Sequence, residues 1–361
     1  MYRPIEPGLS IFLDLIRVTA AVIVMLAHAQ VSGLIAVQPG LLELAPAAVI
    51  VFFVLSGYII ESTTARQAGL AQYSIRRAAR IYSVVLPALL LSIGLAAGYA
   101  AAQGAAELAA FWRDWGQWWR LPVVLTFQAE DWGAAVEVPW DGPFWSMNYE
   151  VFYYVLYAVL TFLTGRLRIV ATTLVCLLAG PKILLLLPCW WIGVELARRP
   201  QLRFPSRTMA WAGLILASGL LLGLAMAGMP GRISYYQAKV MPGMALLAHS
   251  REFLGDYLMA VLVAAMIMAV RQLQFGPETL LVRCGKPLTW AAGYTFSIYL
   301  LHRPLQHLAS RFYQYMPGDA FSALLLGLLI VLVIIAIGSV TERRTATWRQ
   351  AISRIVQRRP A

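Results

Sequence analysis

The chain has 361 residues, of which 60% are apolar and only 13% charged, and its mean hydropathy is +0.69. Soluble domains carry about a quarter charged residues. The composition therefore excludes a water-soluble fold, a disordered chain, a secreted disulfide scaffold and a nucleic-acid-binding domain. The net charge of +12 comes from 29 Lys+Arg against 17 Asp+Glu, and in a polytopic membrane protein such an excess crowds the cytoplasmic loops. Cys176, Cys189 and Cys284 form no metal-ligand cluster and no disulfide framework, so no metal is expected.

A membrane-spanning helix needs about 20 predominantly apolar residues. Ten segments approach that requirement, at roughly 9–29, 45–62, 80–101, 145–164, 168–180, 182–197, 208–228, 253–270, 288–307 and 320–341. The fifth and sixth are short and separated by Gly180-Pro181. The expected fold is an all-α polytopic membrane helix bundle of about ten transmembrane helices. The first segment is too long for a signal-peptide core and carries Asp14, Arg17 and His28, which favours a retained helix. With the N-terminus inside, twenty Lys and Arg fall on the inner side and seven on the outer, so both termini are expected in the cytoplasm. Residues 1–341 read as one integral membrane domain and 342–361 as a short basic cytoplasmic tail, a topology signal and contact for anionic lipids. The longest loop, about 102–144, holds Phe111 to Trp119 (FWRDWGQWW). It reads either as an interfacial helix with its indoles at headgroup level or as a platform for stacking sugars.

Ionisable residues within spans are costly unless paired or wet, and each is a candidate for function. On the first span Asp14 and Arg17 are three residues apart and can pair. Arg17 and His28 are eleven apart, almost three full turns, so both point the same way about 16 Å apart along the axis. At the start of the fourth span Ser146 and Glu150 share a face, beside Trp145 and Asn148. At that depth Glu150 can orient an imidazole base. Arg76, Arg77 and Arg80, with Tyr82, enter the third span. They read as positive-inside residues or as a phosphate clamp, since arginine donates in a planar fork. Gly57 in the second span, next to Tyr58, permits close helix packing. His302 and Arg303 lie near the outer end of the ninth span, at the level of His28. His249 and His307 receive no role. A basic inner half and a histidine–carboxylate outer half suit an anionic donor from the cytoplasm and a neutral acceptor outside. Acyl-coenzyme A has that form.

The blocks FLDLIRVTAAVIVMLAHA, FFVLSGYII, SIRRAARIYSVVLP, FWSMNYEVFYYVLYA and GYTFSIYLLHRP occur in this order between residue 9 and about 305. In wording and order they resemble the membrane acyltransferase-3 family, multi-span enzymes that O-acetylate or otherwise acylate saccharides and some small molecules. The resemblance implies that Arg17 and His28 are essential, that Arg76 and Arg80 help bind coenzyme A, and that Glu150 belongs to the active site. Ile16 and Val18 flank Arg17 where the family commonly has glycines. The run Asn148 to Phe152 keeps the first of two usual carboxylates, which is similar to the branch acting on bacterial exopolysaccharides.

The expected activity is transfer of an acyl group, most simply acetyl, from cytoplasmic acyl-CoA to a saccharide hydroxyl, at a bacterial plasma membrane. Arg17, Arg76, Arg77, Arg80 and Tyr82 would hold the coenzyme. His28 would serve as general base or as acyl carrier, with Glu150 orienting it and Ser146 alongside. Tyr58, Asn148, Trp145 and His302 would meet the substrate or its oxyanion, and Asp14 and Gly57 would give structural support. The acceptor, free or lipid-linked, and membrane lipids are the expected partners. Two readings from other classes stand beside this one: a secondary transporter of a small polar or anionic solute, and a non-catalytic component of a polysaccharide export complex.

Overall fold

The computed structural model describes residues 5–64, 69–241, 243–276 and 278–357. Arg3, Arg66, Arg358 and Arg359, counted above towards orientation, lie outside the described residues. Fifteen α-helices run in order: α1 (Pro7–Val31), α2 (Leu41–Thr64), α3 (Leu70–Gln103), α4 (Ala105–Trp115), α5 (Arg120–Leu125), α6 (Trp145–Phe162), α7 (Gly165–Arg198), α8 (Arg207–Met226), α9 (Met229–Val240), α10 (Phe253–Leu273), α11 (Leu280–Arg283), α12 (Gly285–Ala292), α13 (Thr295–Ala309), α14 (Ala320–Val340) and α15 (Thr345–Gln357). Among the described residues there is no strand.

Among the described residues, seven helices are long and apolar enough to cross a membrane, against the ten segments expected. The difference has local causes. The fifth and sixth segments form one helical run, α7, interrupted at Gly180, whose φ of 70° and ψ of 177° lie outside helical space. Pro181 follows, and a residue with no Cβ reaches this conformation without strain. The expected 288–307 span breaks between α12 and α13. There α12 ends at Ala292 and α13 starts at Thr295, with Gly293 and Tyr294 between them, and the Thr295 hydroxyl donates to the Ala292 carbonyl at 3.0 Å. The fourth segment corresponds to α6, 18 residues long and rich in Tyr and Asn, which lowers its hydropathy. The third begins at Leu70, ten residues earlier than its apolar run, so Arg76, Arg77 and Arg80 lie on its first turns.

The chain divides into two compact units, Met1–Ala27 with Gln38–Gln67 and Pro181–Thr295, and His28–Val37 with Ala68–Gly180 and Phe296–Ala361. In the first unit α10 packs against α2, α8 and α9. Gly57 of α2 and Gly193 of α7 meet face to face. A Cβ on Gly57 would overlap the Trp190 carbonyl oxygen, and one on Gly193 would overlap the Val54 carbonyl oxygen. Small residues of this kind let helix backbones approach within a membrane. Arg271 secures the end of α7 by donating to the Leu196 and Leu202 carbonyls, both at 2.7 Å.

In the second unit α3 packs against α4, α6 and α15. Its core is tyrosine-rich, with Tyr73, Tyr149, Tyr153 and Tyr157 buried. Buried tyrosines satisfy their hydroxyls, and that of Tyr73 donates to the Tyr154 carbonyl at 3.1 Å. Trp115 is buried with its Nε1 donating to the Glu137 carbonyl at 3.2 Å, whereas Trp118 is 85% exposed.

Candidate active site

His28 lies in the last turn of α1 and His302 on α13, both in the second unit. Nδ1 of His28 is 3.0 Å from Nε2 of His302, with ring centroids 5.1 Å apart. Nδ1 of His302 lies 2.8 Å from the Ile298 carbonyl oxygen. A carbonyl only accepts, so that nitrogen carries the proton. In the neutral pair Nε2 of His302 is then a lone pair, and Nδ1–H of His28 donates to it. In that tautomer Nε2 of His28 is the unprotonated nitrogen, the one with basic character. His302 is fully buried, so its ring is a fixed support.

Next along α13, Arg303 donates to the Ser32 hydroxyl. It also faces Asp141, in the loop ahead of α6, by charge. Asp141 is 1% exposed, and neither carboxylate oxygen has a hydrogen-bond partner among the described residues. Burial holds its carboxyl well above the ordinary value of 3.8, and the nearby Arg303 charge pulls it back only in part.

Ser146, at the start of α6, hydrogen-bonds the Tyr299 hydroxyl at 2.8 Å, and each hydroxyl also lies 3.3 Å from the Pro143 carbonyl. This trio ties α6 to α13 through buried polar atoms. Glu150, one turn further, accepts a hydrogen bond from Tyr154. Asn148 spends its amide on backbone: Oδ1 accepts from Ala129 N at 3.1 Å, and Nδ2 donates to the Trp145 carbonyl at 3.2 Å. It fastens the 126–144 loop onto α6. Trp145 packs edge-on to Tyr149 at 5.1 Å. Near the same loop Trp140 stacks on His307 at 4.7 Å and meets Tyr99 at 5.8 Å, with Arg311 5.2 Å over the Tyr99 ring.

The arginines of α3 have three different surroundings. Arg80 lies 3.6 Å from Glu342 and over the Phe296 ring at 5.8 Å. Arg77 lies 5.9 Å over the rings of both Tyr73 and Tyr154. Arg76 faces a cleft shared with α15. Tyr82 donates to the Leu125 carbonyl at 2.8 Å and so holds the short helix α5. In the first unit, Arg17 pairs with Asp14 at 3.8 Å, and Asp14 also accepts from Thr289 at 2.9 Å. Tyr58 is buried there beside Arg271.

A family model described as an acyltransferase domain, acyltransferase-3, matches residues 10–341. The chain belongs to the membrane acyltransferase-3 family. It is thus a multi-pass membrane acyltransferase. No curated protein and no solved structure matches it. An acyltransferase that moves an acyl group onto a hydroxyl needs a base, and the His28 imidazole, braced by His302, has that chemistry. The residues that sequence reasoning did not single out are Asp141, Tyr299 and Ser32. Tyr299 sits inside a recognised block, but its hydroxyl contact to Ser146 spans 153 positions. Asp141 is one acidic residue in a loop, with no spacing to set it apart.

Proposed function

We propose that this acyltransferase carries an acyl group, acetyl in the simplest case, from acyl-coenzyme A to a saccharide hydroxyl. The observation that carries the reading is the proton order imposed on His28: Ile298 carbonyl, then His302, then Nδ1–H of His28, which leaves Nε2 as the basic nitrogen. His28 Nε2 takes the proton of the acceptor hydroxyl as its oxygen attacks the thioester carbonyl carbon. The tetrahedral oxyanion needs a donor. The Ser146–Tyr299 pair offers one, because its 3.3 Å contacts to Pro143 are weak enough for a hydroxyl proton to be redirected. Collapse breaks the carbon–sulfur bond, and the His28 imidazolium returns its proton to the departing thiolate. His302 accepts from Nδ1–H throughout, so the ring keeps its tautomer.

Arg76, Arg77 and Arg80, on the first turns of α3, supply the basic end that a polyphosphate donor needs. We read that end as facing the cytoplasm of a bacterial plasma membrane, because basic residues favour the inner side. Trp140, Tyr99 and Arg311 present ring faces and a cation suited to a saccharide, free or lipid-linked. The deciding experiment incubates purified protein with acetyl-coenzyme A and candidate saccharides, following free thiol and acylated product. The wild type should release thiol in step with product, and His28→Ala should do neither while keeping its helical content and elution volume. Undiminished transfer by His28→Ala overturns the proposal.

A further inference from the structure

The carboxy-terminal helix α15 does not trail away from the bundle but packs along the start of α3. Between them lies a cleft of about 620 Å³ lined by Gln72, Ile75, Arg76, Arg349, Gln350, Ser353 and Arg354. The spacing is helical on both walls. Residues 72, 75 and 76 share a face of α3, and residues 349, 350, 353 and 354 share a face of α15. Each helix thus turns arginine and neutral hydrogen-bonding groups inward, and no carboxylate lines the cleft among the described residues. Nε of Arg76 is buried and has no hydrogen-bond partner among the described residues. Its neighbours differ: Arg80 is held by Glu342, and Arg77 lies over two tyrosine rings.

Three guanidinium groups, a hydroxyl and two amides, without an acid to neutralise them, form a site for a multiply charged oxyanion. Guanidinium forks match phosphate oxygens in pairs. Topology alone would account for arginines in a tail, but not for a tail that folds back to wall an open cleft beside an arginine of α3. The volume is also informative. Small-molecule sites occupy roughly 300–1,000 Å³, and the cleft falls within that range.

We infer that α15 and α3 form a phosphate-ester binding cleft in which Arg349 and Arg354 join Arg76, and that its occupant is the phosphorylated nucleotide end of the acyl donor. The identity of the occupant rests on the function proposed above; the phosphate chemistry does not. An anionic lipid headgroup carries the same chemistry and is the competing source.

The test is calorimetric titration of the full chain, in neutral detergent, with adenosine 3′,5′-bisphosphate and with coenzyme A. Arg349 and Arg354 are exposed, so the double change Arg349→Gln with Arg354→Gln leaves the packed Trp348 and Ile352 in place. It should weaken both ligands about tenfold or more, as expected for lost charge-assisted bonds. Arg349→Lys with Arg354→Lys should recover much of the affinity while the melting temperature stays constant across the set. Reconstitution with phosphatidylglycerol should leave the bisphosphate affinity within about twofold. Equal binding by wild type and the glutamine pair overturns the cleft. Displacement of the bisphosphate by phosphatidylglycerol overturns the assignment to the donor and makes it a headgroup site. Bisphosphate binding that depends on the tail, in a protein that never releases thiol, upholds the cleft and rejects the acyl-transfer reading instead.

Discussion

Glu342 accepts two hydrogen bonds from Ser297, from its backbone N–H and its hydroxyl, both at 2.8 Å, while Arg80 approaches from 3.6 Å. A carboxylate just beyond α14 thereby pins the start of α13 and one arginine of α3 within a single unit. Arg80 is partly exposed, so the ion pair itself contributes little. The larger effect lies in the buried donors of Ser297. Glu342→Ala strands them and should cost roughly 1–3 kcal/mol of stability. Glu342→Gln keeps an acceptor oxygen and should cost less. Thermal unfolding in detergent, followed by circular dichroism, checks the order, and an alanine variant as stable as the glutamine one would contradict it.

His302 is buried against His28 and the Ile298 carbonyl, and with His28 as the base of the proposed reaction it acts as a positioning residue. His302→Ala leaves Nδ1–H of His28 without its acceptor, and both tautomers become populated. The turnover number should fall about 10²-fold, the low end of what general-base catalysis contributes, with KM for the acyl donor little changed. His302→Gln, whose side-chain oxygen can accept from Nδ1–H, should restore part of the loss. A merely space-filling ring predicts no rescue by Gln and a matching drop in melting temperature. Steady-state kinetics on the three proteins separates the two.

Gly57 and Gly193 set the distance between α2 and the second half of α7, since a methyl on either meets a carbonyl oxygen of the other helix. Backbone cannot swing aside as a flexible side chain can. Gly193→Ala should therefore lower stability by about 1–3 kcal/mol, the usual cost of overpacking, and Gly57→Ala should do the same. The double variant should cost less than the sum of the singles, because one helix displacement relieves both overlaps. Melting temperatures of the four proteins provide the cycle, and strict additivity would show that the two contacts are independent.

The parts of this protein that were legible in its sequence are those that depend on local periodicity. Apolar runs gave the membrane class, and the eleven-residue interval from Arg17 to His28 correctly placed both on one helix, α1. The interruption at Gly180-Pro181 was also foreseeable, because both residues disfavour a continuing helix. What periodicity does not carry is pairing across long stretches of chain. The partner of His28 lies 274 positions away, and nothing in the block around His302 distinguishes a support for an imidazole from a substrate contact. Asn148 looked available for an oxyanion, yet a loop folded over α6 takes up its amide. The helix count suffered for a related reason. Hydropathy registers apolar length, whereas the chain leaves helical form at Gly293 and Tyr294, inside an apolar run.

Asp141 gives a pH-dependent prediction with a definite sign. Its folded-state carboxyl titrates above the ordinary value of 3.8, chiefly because it is buried, and Arg303 offsets that only in part. The neutral form is therefore favoured by folding. Its contribution to stability is complete below the unfolded value and is lost as pH rises through the folded one. Asp141→Asn is nearly isosteric and stays uncharged at every pH. The melting temperature of the variant, relative to wild type, should thus climb as pH is raised from about 4 towards neutrality and level off once the wild-type carboxyl has ionised. If the Arg303 charge were instead the dominant influence, the carboxylate would be the favoured form and the gap would move the other way. Paired melting curves at half-unit pH intervals decide between these, and a gap that narrows or reverses with rising pH rejects burial as the controlling cause.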